Sequence, residues 1–238
     1  MFALLLAGCL VAATDPQALL ARTDAAANRA KDVVLELAIS VEIPGVERLA
    51  RTVRVWQRGQ DQRLVKFVAP ARLRGTGLLM PEAGQTFLYL PAYEKVRRIV
   101  GRDGAGSFMG TGFSIGDLAR TRFQSDYTAA LVSESPASDV LKLTPKASDA
   151  HDHAALIVTI RREDSLVSRI EAVDAAGKAI RTLVASDFRA VGGYTVAHHV
   201  DVLEHAARRK TTAQLESVQF DTGLSPDFFT ERELRRAP

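Results

Sequence analysis

Residues 33–45 read Val33-Val34-Leu35-Glu36-Leu37-Ala38-Ile39-Ser40-Val41-Glu42-Ile43-Pro44-Gly45. Over 35–43 the residues alternate with period two, as a strand does when it buries one face and leaves the other to water. Pro44-Gly45 then turns the chain. The same grammar recurs outward from this stretch, at 49–57, 63–68, 76–80, 86–90 and 96–100. It returns at 127–133, 140–144, 155–161, 167–173, 180–188, 195–203 and 211–220. Arg58-Gly59, Glu82-Ala83-Gly84, residues 174–177 and Gly192-Gly193 separate neighbouring runs. Parallel strands would need crossovers of about a dozen residues, which these connections do not provide. The expected fold class is mainly β with some α: one large antiparallel sheet or barrel and a few helices. No fixed-period repeat accompanies the strands, which argues against a propeller or solenoid.

Helix signals stand at the two ends and in one interruption. Asp15-Pro16 is an N-cap followed by proline at the first helical position. Leu19, Thr23, Ala26 and Ala30 then share one face, to about Lys31. Ser225-Pro226-Asp227-Phe228-Phe229-Thr230-Glu231-Arg232 is a capped, acidic helix start. Between the two sets of strands, residues 101–112 read GRDGAGSFMGTG, and Ser114-Ile115-Gly116-Asp117 forms a capping-box pattern opening a short helix. This segment is either a plain mobile loop or a lid, the latter because a glycine-dense loop bearing Phe108 and Met109 must tuck those side chains somewhere.

The chain has 238 residues, 47% hydrophobic and 25% charged. That excludes a disordered chain and a polytopic membrane protein. Its one cysteine excludes a disulfide framework and a cysteine-cage zinc site. Met1 to Ala13 is an uncharged apolar run, too short to span a bilayer as a helix. It has the character of an export leader, with small residues Val11 and Ala13 at the −3 and −1 positions of a cleavage site. Leu6-Ala7-Gly8-Cys9 also fits a lipobox, making Cys9 the candidate lipidation site. Residues 1–13 are thus expected to be a signal peptide or lipoprotein leader, and 14–238 a single exported domain.

Catalytic signatures are missing from the sequence. No Gly-Lys-Ser/Thr follows the glycine-rich segment, and no GxGxxG strand-to-helix turn or Gly-x-Ser-x-Gly elbow occurs. His151 and His153 fall in a polar connection, while His198 and His199 would point to opposite faces of a strand. The expectation is no enzyme, no cofactor and no metal; a histidine-based hydrolase is the weakest alternative. Charge is more telling. Residues 48–102 carry +9 while the whole chain carries +3, which favours an anionic partner. For an exported protein that means lipid head groups or an acidic protein surface rather than nucleic acid. The same strands are apolar at Val53, Val55, Val65, Phe67, Leu79, Leu88 and Leu90. An apolar sheet face must be covered by a helix, a second sheet or a ligand. The helices here are few and alanine-rich, so an incomplete cover that leaves an apolar cavity is expected, although periodicity alone fits a closed sandwich equally well.

Residues 63–79, Arg-Leu-Val-Lys-Phe-Val-Ala-Pro-Ala-Arg-Leu-Arg-Gly-Thr-Gly-Leu-Leu, resemble the LolA-like proteins known as outer membrane lipoprotein-sorting proteins. The resemblance continues through 87–99, is sharpest at Gly106-Ser107-Phe108-Met109-Gly110-Thr111-Gly112-Phe113-Ser114, and closes at Phe229-Thr230-Glu231-Arg232-Glu233-Leu234. It implies a strongly curved antiparallel half-barrel, with a few helices closing the concave apolar side over a cavity, as in LolA and LolB. It further implies a monomeric carrier in the periplasm of a Gram-negative bacterium. Such a carrier holds the acyl chains of a lipid or lipoprotein and passes them between envelope membranes or to a resistance-nodulation-division type exporter. A relative anchored through Cys9 would sit at the membrane. Cavity or lid residues on this reading are Trp56, Phe67, Leu79, Met80, Leu88, Leu90, Phe108, Met109 and Phe113. Arg54, Arg72, Arg74, Arg97 and Arg98 are the candidates to meet head groups or a partner. The alternative is an envelope sensor or adaptor that binds an exporter or regulatory protein through the basic surface.

Overall fold

The computed structural model describes residues 14–100, 107–120, 122–147 and 151–238. Cys9 and the rest of the expected leader lie outside the described residues. Helix α1 (Pro16–Ala27) begins where Asp15 accepts a hydrogen bond from the Gln17 amide, with Pro16 at its first turn. Six strands follow: β1 (Asp32–Ile43), β2 (Val46–Arg58), β3 (Gln62–Ala69), β4 (Gly77–Met80), β5 (Thr86–Leu90) and β6 (Lys95–Ile99). After the short helix α2 (Ile115–Ala119) come β7 (Tyr127–Glu134), β8 (Ser138–Pro145), β9 (Ala155–Arg161), β10 (Val167–Val173), β11 (Ala179–Val191), β12 (Tyr194–Glu204) and β13 (Arg209–Phe220). Helix α3 (Glu231–Arg235) ends the chain.

All thirteen strands form one antiparallel, unclosed sheet in the order β6-β5-β4-β3-β2-β1-β13-β12-β11-β10-β9-β8-β7. Apart from the β1–β13 pair, which joins the two halves, each paired set consists of sequence neighbours, because hairpins are the shortest antiparallel connections. The one long step is from β6 to β7. Those strands are the two opposite edges of the sheet, so the connecting segment must travel from one edge to the other, and this brings α2 onto the sheet.

Register fixes which side chains share a face. Across the first half Val53 opposes Phe67, Val55 opposes Val65, Val65 opposes Leu78 and Leu78 opposes Leu88. This face continues through Ile39 and Ala213 to Val200, Ala185, Val202, Leu183, Ile170, Val158 and Leu141. It carries two buried clusters. One joins Ile39, Val41, Val53, Phe67, Leu78 and Met80 to Phe108 and Ile115 of the β6–β7 connection. The other joins Leu141, Leu143, Leu156, Val158 and Ile160 to Leu19 and Leu20 of α1. On the opposite face, Leu64, Leu79 and Tyr89 pack against Phe229 and Leu234, with Trp56 beside Phe228. Lys66, 1% exposed, donates there to the carbonyls of Glu233 and Arg236 and so ties down the end of α3.

The thirteen alternating runs correspond to the thirteen strands, and Ser114 and Asp117 form a reciprocal capping box at α2. The helix ends differ from the sequence reading. Helix α1 stops at Ala27 because the Asn28 side-chain amide donates to the Asp24 carbonyl, 2.8 Å away, and closes the last turn. Asp24 is buried beside Leu20 and Thr23, since its carboxylate accepts the amides of Phe123 and Gln124. Burial pushes its pKa up despite those bonds. At the other end Ser225 caps one turn of 3-10 helix, Pro226–Phe228, and Thr230 caps α3. Among the described residues no helix is long and apolar enough to cross a membrane.

Candidate functional site

The segment 107–119 lies over the apolar face of the first half of the sheet. It is folded on itself: the Phe108 amide donates to the Phe113 carbonyl at 2.7 Å, and Thr111 Oγ1 donates to the Phe108 carbonyl. The Gly112 amide donates to Ser107 Oγ at 2.9 Å. Met109, Gly110 and Gly112 have φ of 49°, 70° and 76°. For Met109, a residue with a Cβ, the left-handed conformation costs about 1–2 kcal/mol, which the contacts of its neighbours must offset. Phe108 is 2% exposed, with its ring 5.3 Å from that of Phe67.

Arginines of the sheet hold this cover by its carbonyls. Arg51 Nη2 donates to the Met109 carbonyl at 3.0 Å. Arg63 Nη1 donates to the carbonyls of Leu118 and Arg120 at 2.6 and 3.2 Å, where α2 ends. Arg209 Nη1 reaches Ser107 Oγ at 3.2 Å. Arg51 pairs with Ile39, and Arg63 with Met80, so both stand on the apolar face. Burial pushes the Arg63 pKa down to about 10. Burial lowers that of Arg51 as well, helped by the like charges of Arg72 and Arg209.

A cavity of about 350 Å³ lies where Met80, Ile99 and Ile115 meet polar side chains, among them Asp61, Glu82, Arg120, Asp126 and His151. A smaller space of about 20 Å³ lies among Phe113, Leu156, Ile170, Leu183 and Val202. His151, Asp152 and His153 of a polar chain line the 350 Å³ cavity. Tyr127 Oη hydrogen-bonds His153 Nε2 at 2.9 Å and His151 Nδ1 at 3.3 Å. His153 Nδ1 meets Asp152 at 2.8 Å, and Asp152 also accepts from Arg181, which pairs with Asp117 of α2 at 3.0 Å. Burial pushes the Tyr127 phenol up to about 12. Burial would also raise Asp152, but hydrogen bonds from His153 and Arg181 outweigh it and hold the carboxyl at about 2. Among the described residues, no group of three or more His, Cys, Asp or Glu is placed to hold a metal ion.

The structure divides the residues singled out from the sequence. Phe67, Met80, Leu88, Phe108, Met109 and Phe113 come together in the cluster under the cover. Leu90 lies on the same face as Leu88 but outside that cluster. Trp56 and Leu79 belong to the opposite face, with α3. β4 is apolar at Leu78, Leu79 and Met80, so alternation alone does not reveal which parity faces the cover. Arg54 pairs with Glu36 at 2.6 Å on the opposite face. Arg72 and Arg74 are exposed in the turn after β3. Arg97 opposes Leu88, and Arg98 opposes Phe87, so these neighbours point to opposite faces. Arg51, Arg63 and Arg209 were not singled out. Arg51 gave a signal: it is a cation in step with Val53 and Val55, at a position alternation assigns to the interior.

A family model described as an uncharacterized protein matches residues 59–236, more than half of the chain. No curated protein matches. Among solved structures, a domain of Vibrio parahaemolyticus described as an outer membrane lipoprotein-sorting protein aligns at 22% identity. It covers 93% of this chain and 98% of its own, with a TM-score of 0.83. A DUF1329 family protein of Desulfovibrio piger aligns at 24% identity over 93% of this chain and 100% of its own, with a TM-score of 0.84. A LolA superfamily protein of Nitrosomonas europaea aligns at 17% identity over the same shares, with a TM-score of 0.77.

Proposed function

The chain belongs to the family whose model spans residues 59–236 and has the LolA-superfamily fold, and from that premise we propose that it is a carrier for acyl chains. It takes up the chains of a lipid or lipoprotein against the apolar face that segment 107–119 covers. The observation that supports this reading most is the nature of the cover. The face bearing Val53, Phe67, Leu78 and Met80 is closed by a short connection turned at Met109, Gly110 and Gly112, not by a long packed helix. Such a segment can open at less cost than the sheet beneath it.

Burial of an acyl chain stabilises it by about 0.8 kcal/mol per methylene, so a modest length of chain offsets displacement of Phe108 and its neighbours. Phe67, Met80, Leu88, Leu90, Phe108, Met109 and Phe113 form the path on this reading. The sheet then acts as a half-barrel whose concave side is the acyl site. Residues 1–13 serve as export leader or lipid anchor, and 14–238 work as one domain in the periplasm. There the carrier passes cargo between envelope membranes or to an exporter, without enzyme chemistry.

The test is mass spectrometry of protein recovered from the cell envelope without detergent, alongside an organic extract and a titration with a fluorescent fatty acid. A bound or readily taken-up acyl species is expected. Protein that neither carries nor takes up an acyl chain overturns the proposal.

One observation favours the adaptor reading as a second possibility. Edge strand β6 carries exposed Arg98 between Tyr93 and Val100, which are 70% and 59% exposed. Charged and apolar groups together on an open edge suit a protein partner. Arg98→Glu would then abolish a salt-sensitive complex with an exporter periplasmic domain, and absence of any such complex at low salt removes this reading.

A further inference from the structure

Beneath the cover, several hydrogen-bonding groups have no partner among the described residues. Arg51 is 7% exposed. Its Nη2 is used by the Met109 carbonyl, while its Nε and Nη1 are buried without an acceptor. Arg209 Nε and Thr211 Oγ1 are likewise buried and unpaired. A buried guanidinium missing two of its hydrogen bonds is costly, because the unmet N–H groups lose water without replacement.

These groups are gathered at one place. Thr211 opposes Val41, and Arg51 opposes Ile39 across the same strand β1, with both side chains on the covered face. Arg209 lies two residues before Thr211 on β13 and shares that face. The cover touches them at two glycines. A Cβ on Gly112 would stand 2.7 Å from Thr211 Oγ1, and one on Gly110 would stand 3.7 Å from Arg51 Nη2. At Gly112 the backbone therefore approaches the unpaired Thr211 hydroxyl as closely as glycine allows, while at Gly110 it makes an ordinary contact with the Arg51 guanidinium. Arg72 adds a third cation near Arg51, and among the described residues the carboxylate paired with these cations is Glu204, 2.9 Å from Arg209 Nη1. Three guanidiniums against one carboxylate leave this place with an excess of about two positive charges.

We propose that Arg51, Arg209 and Thr211, with Arg72 at the rim, form a receptor for a phosphate monoester, the head group of the lipid whose chains occupy the adjoining apolar face. A phosphate monoester carries about −1.5 to −2 charges and three acceptor oxygens. It thus matches the charge excess, and its three oxygens, each with more than one lone pair, can accept from the four unmet donors. An arginine fork binds such a group in bidentate fashion. In the closed arrangement the Met109 carbonyl holds one of these donors. An ionised oxygen is the stronger acceptor, so an arriving phosphate displaces that carbonyl and releases the cover at the point where Arg51 fastens it. Head-group recognition and opening are then one event. This inference rests on the carrier reading and names its cargo class.

The test compares dioctanoyl phosphatidic acid, dioctanoylglycerol and inorganic phosphate by calorimetric titration of the full chain. The phosphatidic acid is expected to bind about 10-fold or more tighter than the neutral glyceride, the range for charge-assisted hydrogen bonds. Arg51→Gln is expected to bring that ratio close to one. Thr211→Val, which keeps the side chain's shape, should reduce it by about 3-fold, and this provides the reading should the Arg51 variant fail to fold. Equal binding of the two lipids by the unmodified protein overturns the phosphate receptor and leaves the carrier reading standing. Binding of inorganic phosphate, lost in Thr211→Val, with no binding of either lipid supports the receptor and overturns the carrier. No binding of any of the three overturns both.

Discussion

Replacement of Phe108 by alanine separates a movable cover from an ordinary piece of core. Phe108 is 2% exposed and packs on Phe67 at 5.3 Å, within the cluster that includes Val53, Val65, Leu78 and Met80. Truncating a buried phenylalanine costs about 3–5 kcal/mol where the surrounding structure unfolds as one unit. Should segment 107–119 open by itself, the loss in global stability stops growing once the opened form becomes the ground state. The cost measured by urea denaturation then falls short of that range. Hydrogen exchange by mass spectrometry shows where the loss appears. The amides of Thr111, Leu118 and Arg120, which bond to Phe108, Ser114 and Gly116, should exchange about 100-fold faster or more, since every 1.4 kcal/mol is tenfold. Amides of β11 and β12 should change much less. A full loss of 3–5 kcal/mol shared equally by all protected amides would refute the reasoning, because Phe108 would then belong to a single cooperative core.

Three further outcomes follow from named contacts. Gly77→Ala places a methyl 2.9 Å from the Val65 carbonyl and 3.0 Å from Leu234 Cδ1, so urea denaturation should show a loss of about 1–3 kcal/mol; no loss would mean α3 does not dock on β4. Lys66→Met leaves the carbonyls of Glu233 and Arg236 without their donor, at a cost of about 1–3 kcal/mol and with faster exchange in α3; unchanged exchange there would contradict the contact. Asp152 has its carboxyl held at about 2 against an ordinary 3.8, and its side chain is 27% exposed. It therefore stabilises the fold above about pH 4, and that contribution, on the order of 2 kcal/mol, disappears as the pH falls from about 4 to 2. Asp152→Asn should flatten the stability profile over that window, and an unaltered profile would dissociate Asp152 from its partners His153 and Arg181.

The sheet was legible because hairpins and period-two alternation are local properties, set by residues a few positions apart. The cap of α2 was legible for the same reason, Ser114 and Asp117 being three residues apart. Face assignment was legible where strands alternate cleanly, as at Val53, Val55, Val65 and Phe67. It was not legible at Leu78-Leu79-Met80, where both faces are buried: one under the cover, the other under α3. The placement of α3 depends on Lys66, whose buried ammonium finds carbonyls about 170 residues away in sequence. No periodicity announces such a bond. Arginine was read as a surface residue by its charge, yet Arg51 and Arg63 lie inside because the β6–β7 connection brings carbonyls to them. Only topology, which obliges that connection to cross from edge to edge, reveals those partners.

The central claim, that an acyl chain lies between segment 107–119 and the first half of the sheet, is tested most directly by a phospholipid with a photoreactive diazirine in its chain. After irradiation and digestion, the labelled peptides identify the face occupied. Labels are expected on Phe67, Met80, Leu88, Phe108 and Met109, competed by unlabelled lipid. Labels confined to Trp56, Leu79 and Phe229 on the opposite face, or labelling that unlabelled lipid does not compete, would contradict it.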